Sequence, residues 1–172
     1  LGYPDQALKK SQEAVALAQE LSHPNSQVFA LSFAAFLHQF RREGQAVQER
    51  AEAALTLSTE QGFALWVAVG TIFRGWALVA QGQGAEGIAQ LRKGLAAWRA
   101  TGAGGYLTHY LALLIEAYGQ VGQVEEGLTV LAEALAAVSK TGRRSDEAEL
   151  YRLKGELTLQ SSVQSLESRV KE

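Results

Sequence analysis

The chain of 172 residues is 47% hydrophobic and 20% charged, with 16 basic against 18 acidic side chains and a formal net charge of -2. Charge this balanced leaves no footprint for a phosphate backbone, which argues against direct nucleic-acid binding. The absence of cysteine removes disulfides, thiolate nucleophiles and thiolate metal ligands, and no apolar run reaches the roughly 20 residues of a membrane span.

Apolar spacing of three and four residues divides the chain into eight helical segments. The first, residues 4–21, opens on Pro4, whose missing N–H suits a first helical turn. The second, 26–40, sets Phe29, Phe33, Phe36 and Phe40 on one face, which reads as a core stripe, with Asn25 and Ser26 as capping oxygens. The third covers 45–59 and ends before Gly62. The fourth, 63–81, is the richest in large apolar groups and is interrupted by Arg74; its Trp66 and Trp76 project about 80° away from each other. Segments 85–100 and 106–120 follow, divided by Gly102. The seventh, 124–140, carries Glu125 and Glu126 at the positive end of its dipole and Lys140 at the negative end, before Gly142. The eighth, 146–159, starts at Asp146 and Glu147 behind Ser145, a further capping oxygen. Beyond it, 161–172 reads as a polar tail in which Val163, Leu166 and Val170 keep helical spacing, so the helical body is expected over 1–160.

One phrase recurs through these segments: a small residue, an aliphatic, and a second small residue seven positions after the first. It appears as Ala7-Leu8 with Ala14, Ala46-Val47 with Ala53, Gly87-Ile88 with Gly94, and Gly127-Leu128 with Ala134, at intervals of 39, 41 and 40. Gly62, Gly102 and Gly142 are themselves 40 apart and suit the left-handed position after a helix. A period of this length marks stacked helical units, each burying its apolar face against its neighbours. Small residues at the phrase positions, and at Ala34 and Gly75, let helix backbones approach closely.

In helix, turn, helix order the segments resemble tetratricopeptide repeats (TPRs). Ala34 with Ala46 and Ala53, and Gly75 with Gly87 and Gly94, fit the family's pattern of small residues; Ile115 departs from it, and Tyr151 to Gly155 matches the aromatic-x-x-x-small start. The resemblance implies an all-α, right-handed α-α superhelix of antiparallel helix pairs, about 40 residues per repeat against the usual 34. The runs Tyr3-Pro4-Asp5-Gln6-Ala7-Leu8, Gly82-Gln83-Gly84-Ala85-Glu86-Gly87 and Leu150-Tyr151-Arg152-Leu153-Lys154-Gly155-Glu156-Leu157 look like the C-terminal repeats of bacterial multidomain regulators. Those proteins join a nucleotide-cyclase or DNA-binding domain to a signal-transducing P-loop ATPase. Such a resemblance implies a regulatory arm, with cyclase and ATPase residues outside this chain. A start at Leu1 and the lack of any methionine agree with a piece of a longer protein, and the lack of cysteine with a cytoplasmic one.

No constellation of catalytic chemistry stands out. Gly82 to Gly87 spells the dinucleotide-binding glycine pattern, but that pattern works only after a parallel strand, and here it follows a helix and coincides with a repeat turn. His23, His38 and His109 lie far apart without a ligand or nucleophile at working spacing, so neither metal nor cofactor is expected. Arg41-Arg42 and Arg143-Arg144 read as solvated helix ends. The repeat alignment predicts a groove lined by Val28, Leu31, Ala35 and His38, then Val69, Ile72 and Trp76, then His109, Ala112 and Glu116, then Glu149, Arg152 and Glu156. The expectation is a non-enzymatic scaffold that binds a protein or peptide there, including other domains of its parent chain. A small-molecule sensor using the same groove is the second reading, and a homodimer through exposed end helices the third.

Overall fold

The described residues form eight helices: α1 (Pro4–Glu20), α2 (Pro24–Phe40), α3 (Gly44–Gln61), α4 (Ala64–Ala80), α5 (Gly84–Ala100), α6 (Leu107–Gln120), α7 (Val124–Thr141) and α8 (Glu147–Lys171). The computed structural model describes residues 2–171, with side chains for all of these but 168, 170 and 171. Leu1 and the Val170 side chain, both used in the sequence reading, lie outside the described residues. No strand occurs among the described residues.

The even lengths of α1 to α5 and of α7, 17 or 18 residues each, come from punctuation at a fixed interval. Positive φ angles fall at Gly2, Ser22, Arg42, Gly62, Gly82, Gly102, Gly122 and Gly142, so one recurs every 20 residues, with Tyr106 in addition. The 40-residue glycine spacing read from Gly62, Gly102 and Gly142 marks every second member of this series; Gly82 and Gly122 stand midway between them. After four of these residues the next N–H reaches back to a carbonyl five positions earlier: Glu43 to His38 at 3.1 Å, and Phe63 to Ser58, Gln83 to Leu78 and Gln123 to Tyr118 at 2.9 Å each. That bond satisfies a carbonyl left over at the helix end and fixes the reversal.

Helix starts differ in part from expectation. Pro4 and Pro24 both stand in first turns. The acceptor that caps α2 is His23 Nδ1, taking the Ser26 backbone N–H at 3.3 Å, rather than Asn25 or Ser26. Asn25 Oδ1 instead accepts the Trp66 indole N–H at 3.2 Å. Ser145 donates to the Asp146 carboxylate at 2.9 Å. Helix α8 continues through 161–171, where the sequence suggested a tail, and Leu159, Val163 and Leu166 are exposed on it.

The chain divides into two compact units, Leu1–Ala103 and Gly104–Glu172. In the first, each helix from α1 to α5 packs on the next, and α2 also meets α4. In the second, α6, α7 and α8 all touch one another. Burial corrects the register of the repeat. In α3 the inward residues are Val47, Ala51, Ala54 and Ser58; in α5 they are Gly87, Leu91, Gly94 and Trp98; in α7, Gly127, Leu131, Ala134 and Val138. These sets are spaced by 40 throughout. Ala53, expected at a close approach, is exposed and Ala46 only half-buried, so the second copy of the phrase falls one residue later, on Val47 and Ala54.

The small residues do bring backbones together in α4 and α5. A Cβ on Gly87 would lie 2.6 Å from the Gly75 carbonyl oxygen and 2.8 Å from the Val79 nitrogen, and one on Gly75 would lie 2.7 Å from the Leu91 nitrogen. At Gly94 the nearest backbone atom is the Ile72 nitrogen at 2.9 Å. In the second unit, Gly127 makes room for Leu157 of α8.

Candidate interaction surface

With the 40-residue register corrected, Phe29, Phe33, Phe36 and Phe40 of α2 stand where α4 has Val69, Phe73, Trp76 and Ala80. The α2 phenylalanines are not the core stripe expected from their spacing. Phe29 is 52% exposed, Phe33 38% and Phe40 60%. They form a continuous ladder of rings: Phe29 stacks on Phe33 at 4.5 Å between centroids, Phe33 meets Phe36 at 6.2 Å, and Phe36 meets Phe40 edge-on at 4.8 Å. Two rings of α4 back it. Trp66 stands edge-on to Phe29 at 5.6 Å, and the buried Phe73 lies edge-on to Phe36 at 5.8 Å. The indole of Trp66 is anchored by Asn25, and these edge-to-face contacts add about 0.5–1.5 kcal/mol per pair beyond area burial.

Two polar atoms lie buried on the same helix. Ser32 Oγ and Gln39 Oε1 have no hydrogen-bond partner among the described residues. Between Pro24 and Phe40 the helix carries no Asp, Glu, Lys or Arg. An apolar, ring-bearing face without formal charge is a surface for apolar side chains, not for ions.

The residues predicted to line a groove fall elsewhere. Val28, Leu31, Ala35, Val69, Ile72 and Trp76 are buried in the first unit, with Trp76 only 3% exposed. In α2 the one-residue slip in register turns the expected face by about 100° away from the phenylalanines; in α4, Val69 and Trp76 are the equivalents of Phe29 and Phe36 and are buried all the same. His38 sits on another side of α2, where its Nδ1 lies 2.6 Å from Glu43 Oε2, while Arg41 Nε donates to Glu43 Oε1 at 2.8 Å and Arg41 approaches Asp5 at 3.5 Å. The Glu43 carboxyl is held below its ordinary value, first by His38 and then by Arg41.

His109, Ala112, Glu116 and Arg152 belong to the second unit. His109 and Ala112 are buried. Glu116 is half-buried and accepts from the Gln120 amide at 3.3 Å. Arg152 is exposed and engaged along its own helix by Glu149, at 2.6 and 2.7 Å, and by Glu156. Nothing in the spacing of the chain signals that His109 and Asp146 meet: Nδ1 of the ring lies 3.6 Å from one Asp146 oxygen, while Thr108 donates to the other at 2.6 Å. His109 chiefly, with the Thr108 and Ser145 hydroxyls, holds the Asp146 carboxyl down to about 2, against the opposing effect of partial burial. This cluster ties the start of α6 to the start of α8. Among the described residues, no group of three or more His, Asp or Glu is gathered as a metal site.

The arrangement of helices is similar to that of two solved structures of nearly identical TPR-like repeats from a protein designated a kinesin light chain of Podosopora anserina. One, a variant with a single substitution, superposes with a TM-score of 0.61 at 20% identity over 98% of this chain and 85% of that one. The other gives 0.62 at 19% identity, over 98% and 82%. The fold is TPR-like. No protein-family model matches the sequence, nor does any curated protein.

Proposed function

We propose that this TPR-like chain is a non-enzymatic scaffold that takes up an apolar, helical segment of a partner protein on the aromatic face of α2 and α4. The observation that carries it is the exposure of Phe29, Phe33 and Phe40 in one ring-to-ring ladder, where solvent contact is unfavourable by about 25 cal/mol for each Å² of apolar surface. Their spacing along one helix face complements a ridge of apolar side chains on a partner helix. Aromatic anchors held by neighbouring rings lose little side-chain freedom on binding, which favours them as interface centres.

The wider setting of the proposal is a regulatory arm of a cytoplasmic bacterial signalling protein, with the partner segment supplied by another domain of the same parent. The repeated runs that look like those of bacterial regulators support it. So does the fact that no helix among the described residues is long and apolar enough to cross a membrane.

A photoreactive phenylalanine analogue at position 33, introduced in cells and followed by mass spectrometry of the cross-linked products, tests the reading. A discrete protein adduct that disappears when Phe29 and Phe40 are both changed to Asp is the expected result. Cross-linking only to a second copy of the chain, or to a small molecule, overturns it in favour of the dimer or the sensor.

A further inference from the structure

A second feature of the first unit is independent of the aromatic face. Between α1, α2 and α3 lies a cleft of about 160 Å³ whose lining includes Ser11, Val15, Gln19, Ala34, His38 and Arg50. The repeat makes this cleft exceptional. Forty residues on, the positions of Ser11, Val15, His38 and Arg50 are taken by Ala51, Leu55, Leu78 and Gln90. Of these, Ala51 and Leu78 are buried, and Leu55 packs against Gly70. Eighty residues on from Ser11 stands Leu91, fully buried. In the next copy the equivalents of Ser11 and His38 are hydrocarbon and that of Arg50 is an uncharged amide; in the first the cleft is given a hydroxyl, an imidazole and a guanidinium.

The charges around it are one-sided. Arg50 makes no ion pair among the described residues. The lining includes no carboxylate. Glu49 and Glu52, on the same helix, accept from Gln45 and Gln48 at 3.2 and 2.9 Å. Glu43 is committed to His38 Nδ1 and Arg41 and so fixes the ring from the side. A guanidinium with free donors, flanked by hydroxyl and amide groups, is suited to an oxyanion. The remaining wall is Gln12 and the aliphatic Val15, Ala16 and Ala34.

We infer that this cleft binds a small carboxylate with a short alkyl chain, its oxygens on Arg50 and the Ser11 and Gln19 side chains and its carbons on Val15 and Ala34. The volume equals that of about five waters at ~30 Å³ each, which suits a chain of about two to four carbons and is smaller than drug-sized pockets.

The test is a ¹H–¹⁵N chemical-shift titration of the whole chain with butyrate, with butyramide and inorganic phosphate as comparisons. Butyrate is expected to give saturable shifts at residues 11, 19, 38 and 50, with butyramide and phosphate each at least about tenfold weaker. Arg50→Gln should weaken butyrate by about tenfold or more. Ser11→Leu, which supplies the side chain found at Leu91, should abolish binding without lowering the melting temperature. Asp at positions 29 and 40 should leave the titration unchanged. No saturable shift at tens of millimolar butyrate, equal binding of butyramide or of phosphate, or full binding by the Ser11→Leu protein would each overturn the assignment.

Discussion

Substituting Gly87 with Ala isolates the close contact between α4 and α5. The new methyl would lie 2.5 Å from Val79 Cγ2, 2.6 Å from the Gly75 oxygen and 2.8 Å from the Val79 nitrogen, where ordinary contact begins at 3.4 Å. Two of the three obstacles are backbone atoms, so no rotamer change relieves them, and the helices must separate by several tenths of an ångström. Overpacking of this kind costs about 1–3 kcal/mol, and the greater helix propensity of Ala returns about 1. The expected net is a loss of up to about 2 kcal/mol, or a fall of up to roughly 1 M in the urea midpoint. Tryptophan fluorescence is the assay, because Trp66, Trp76 and Trp98 all belong to the first unit. Gly155→Ala is the counterpart: that glycine is inside α8 with nothing within 4 Å of an added Cβ, so the change should stabilise the second unit by about 1 kcal/mol, read by far-ultraviolet circular dichroism. If Gly87→Ala also stabilised the protein by that amount, the close-approach argument would be refuted.

Other outcomes follow from burial, backbone and charge. Trp76→Ala should lower stability by about 3–5 kcal/mol in equilibrium unfolding, since the ring is a core group; a cost under about 1 kcal/mol would return it to a surface role. Gly82→Ala, at φ 84° with nothing within 4 Å of the added methyl, should cost about 1–2 kcal/mol from backbone strain alone, and Ser22→Gly should recover up to about the same amount, both read as melting temperatures. Acid should weaken the Asp146 cluster. The carboxyl titrates near 2 when folded against 3.8 in the free chain, so its contribution is complete above about pH 4 and vanishes as pH falls through 2. Partial solvent screening reduces that contribution to about 1 kcal/mol. In Asp146→Asn, that share of the stability lost between pH 4 and pH 2 should disappear from urea midpoints measured at the two values.

The helices, the period and the left-handed glycines were readable because they rest on local sterics. Gly62, Gly102 and Gly142 have positive φ angles of 71°, 73° and 69°. The 20-residue beat was hidden where Ser22 and Arg42, not glycine, take the same conformation. The slip in the second copy has an equally specific origin: Ala46 and Ala53 imitate the small residues of the other copies, while Val47 and Ala54 occupy their places. Because a step of one residue turns a helix face by about 100°, the groove predicted from the repeat draws on Val28 and Ala35 in place of Phe29 and Phe36. Spacing alone placed the phenylalanines on a single face, but whether such a face is covered depends on neighbours far along the chain. The same holds for His109 and Asp146, whose meeting joins residues 37 apart.

The left-handed residue every twenty positions also governs how such a chain can change its length. Excising the stretch between two points forty apart, for example from Gly82 to Gly122, joins like to like and preserves both turn and inward face at the junction. Removing a single residue from the middle of α5 would instead rotate every later side chain on that helix and displace all the turns beyond it. Growth and loss by unequal recombination are therefore tolerated in whole modules, while small insertions and deletions are confined to the few irregular segments, such as 103–106, which lengthen the connection between Gly102 and α6.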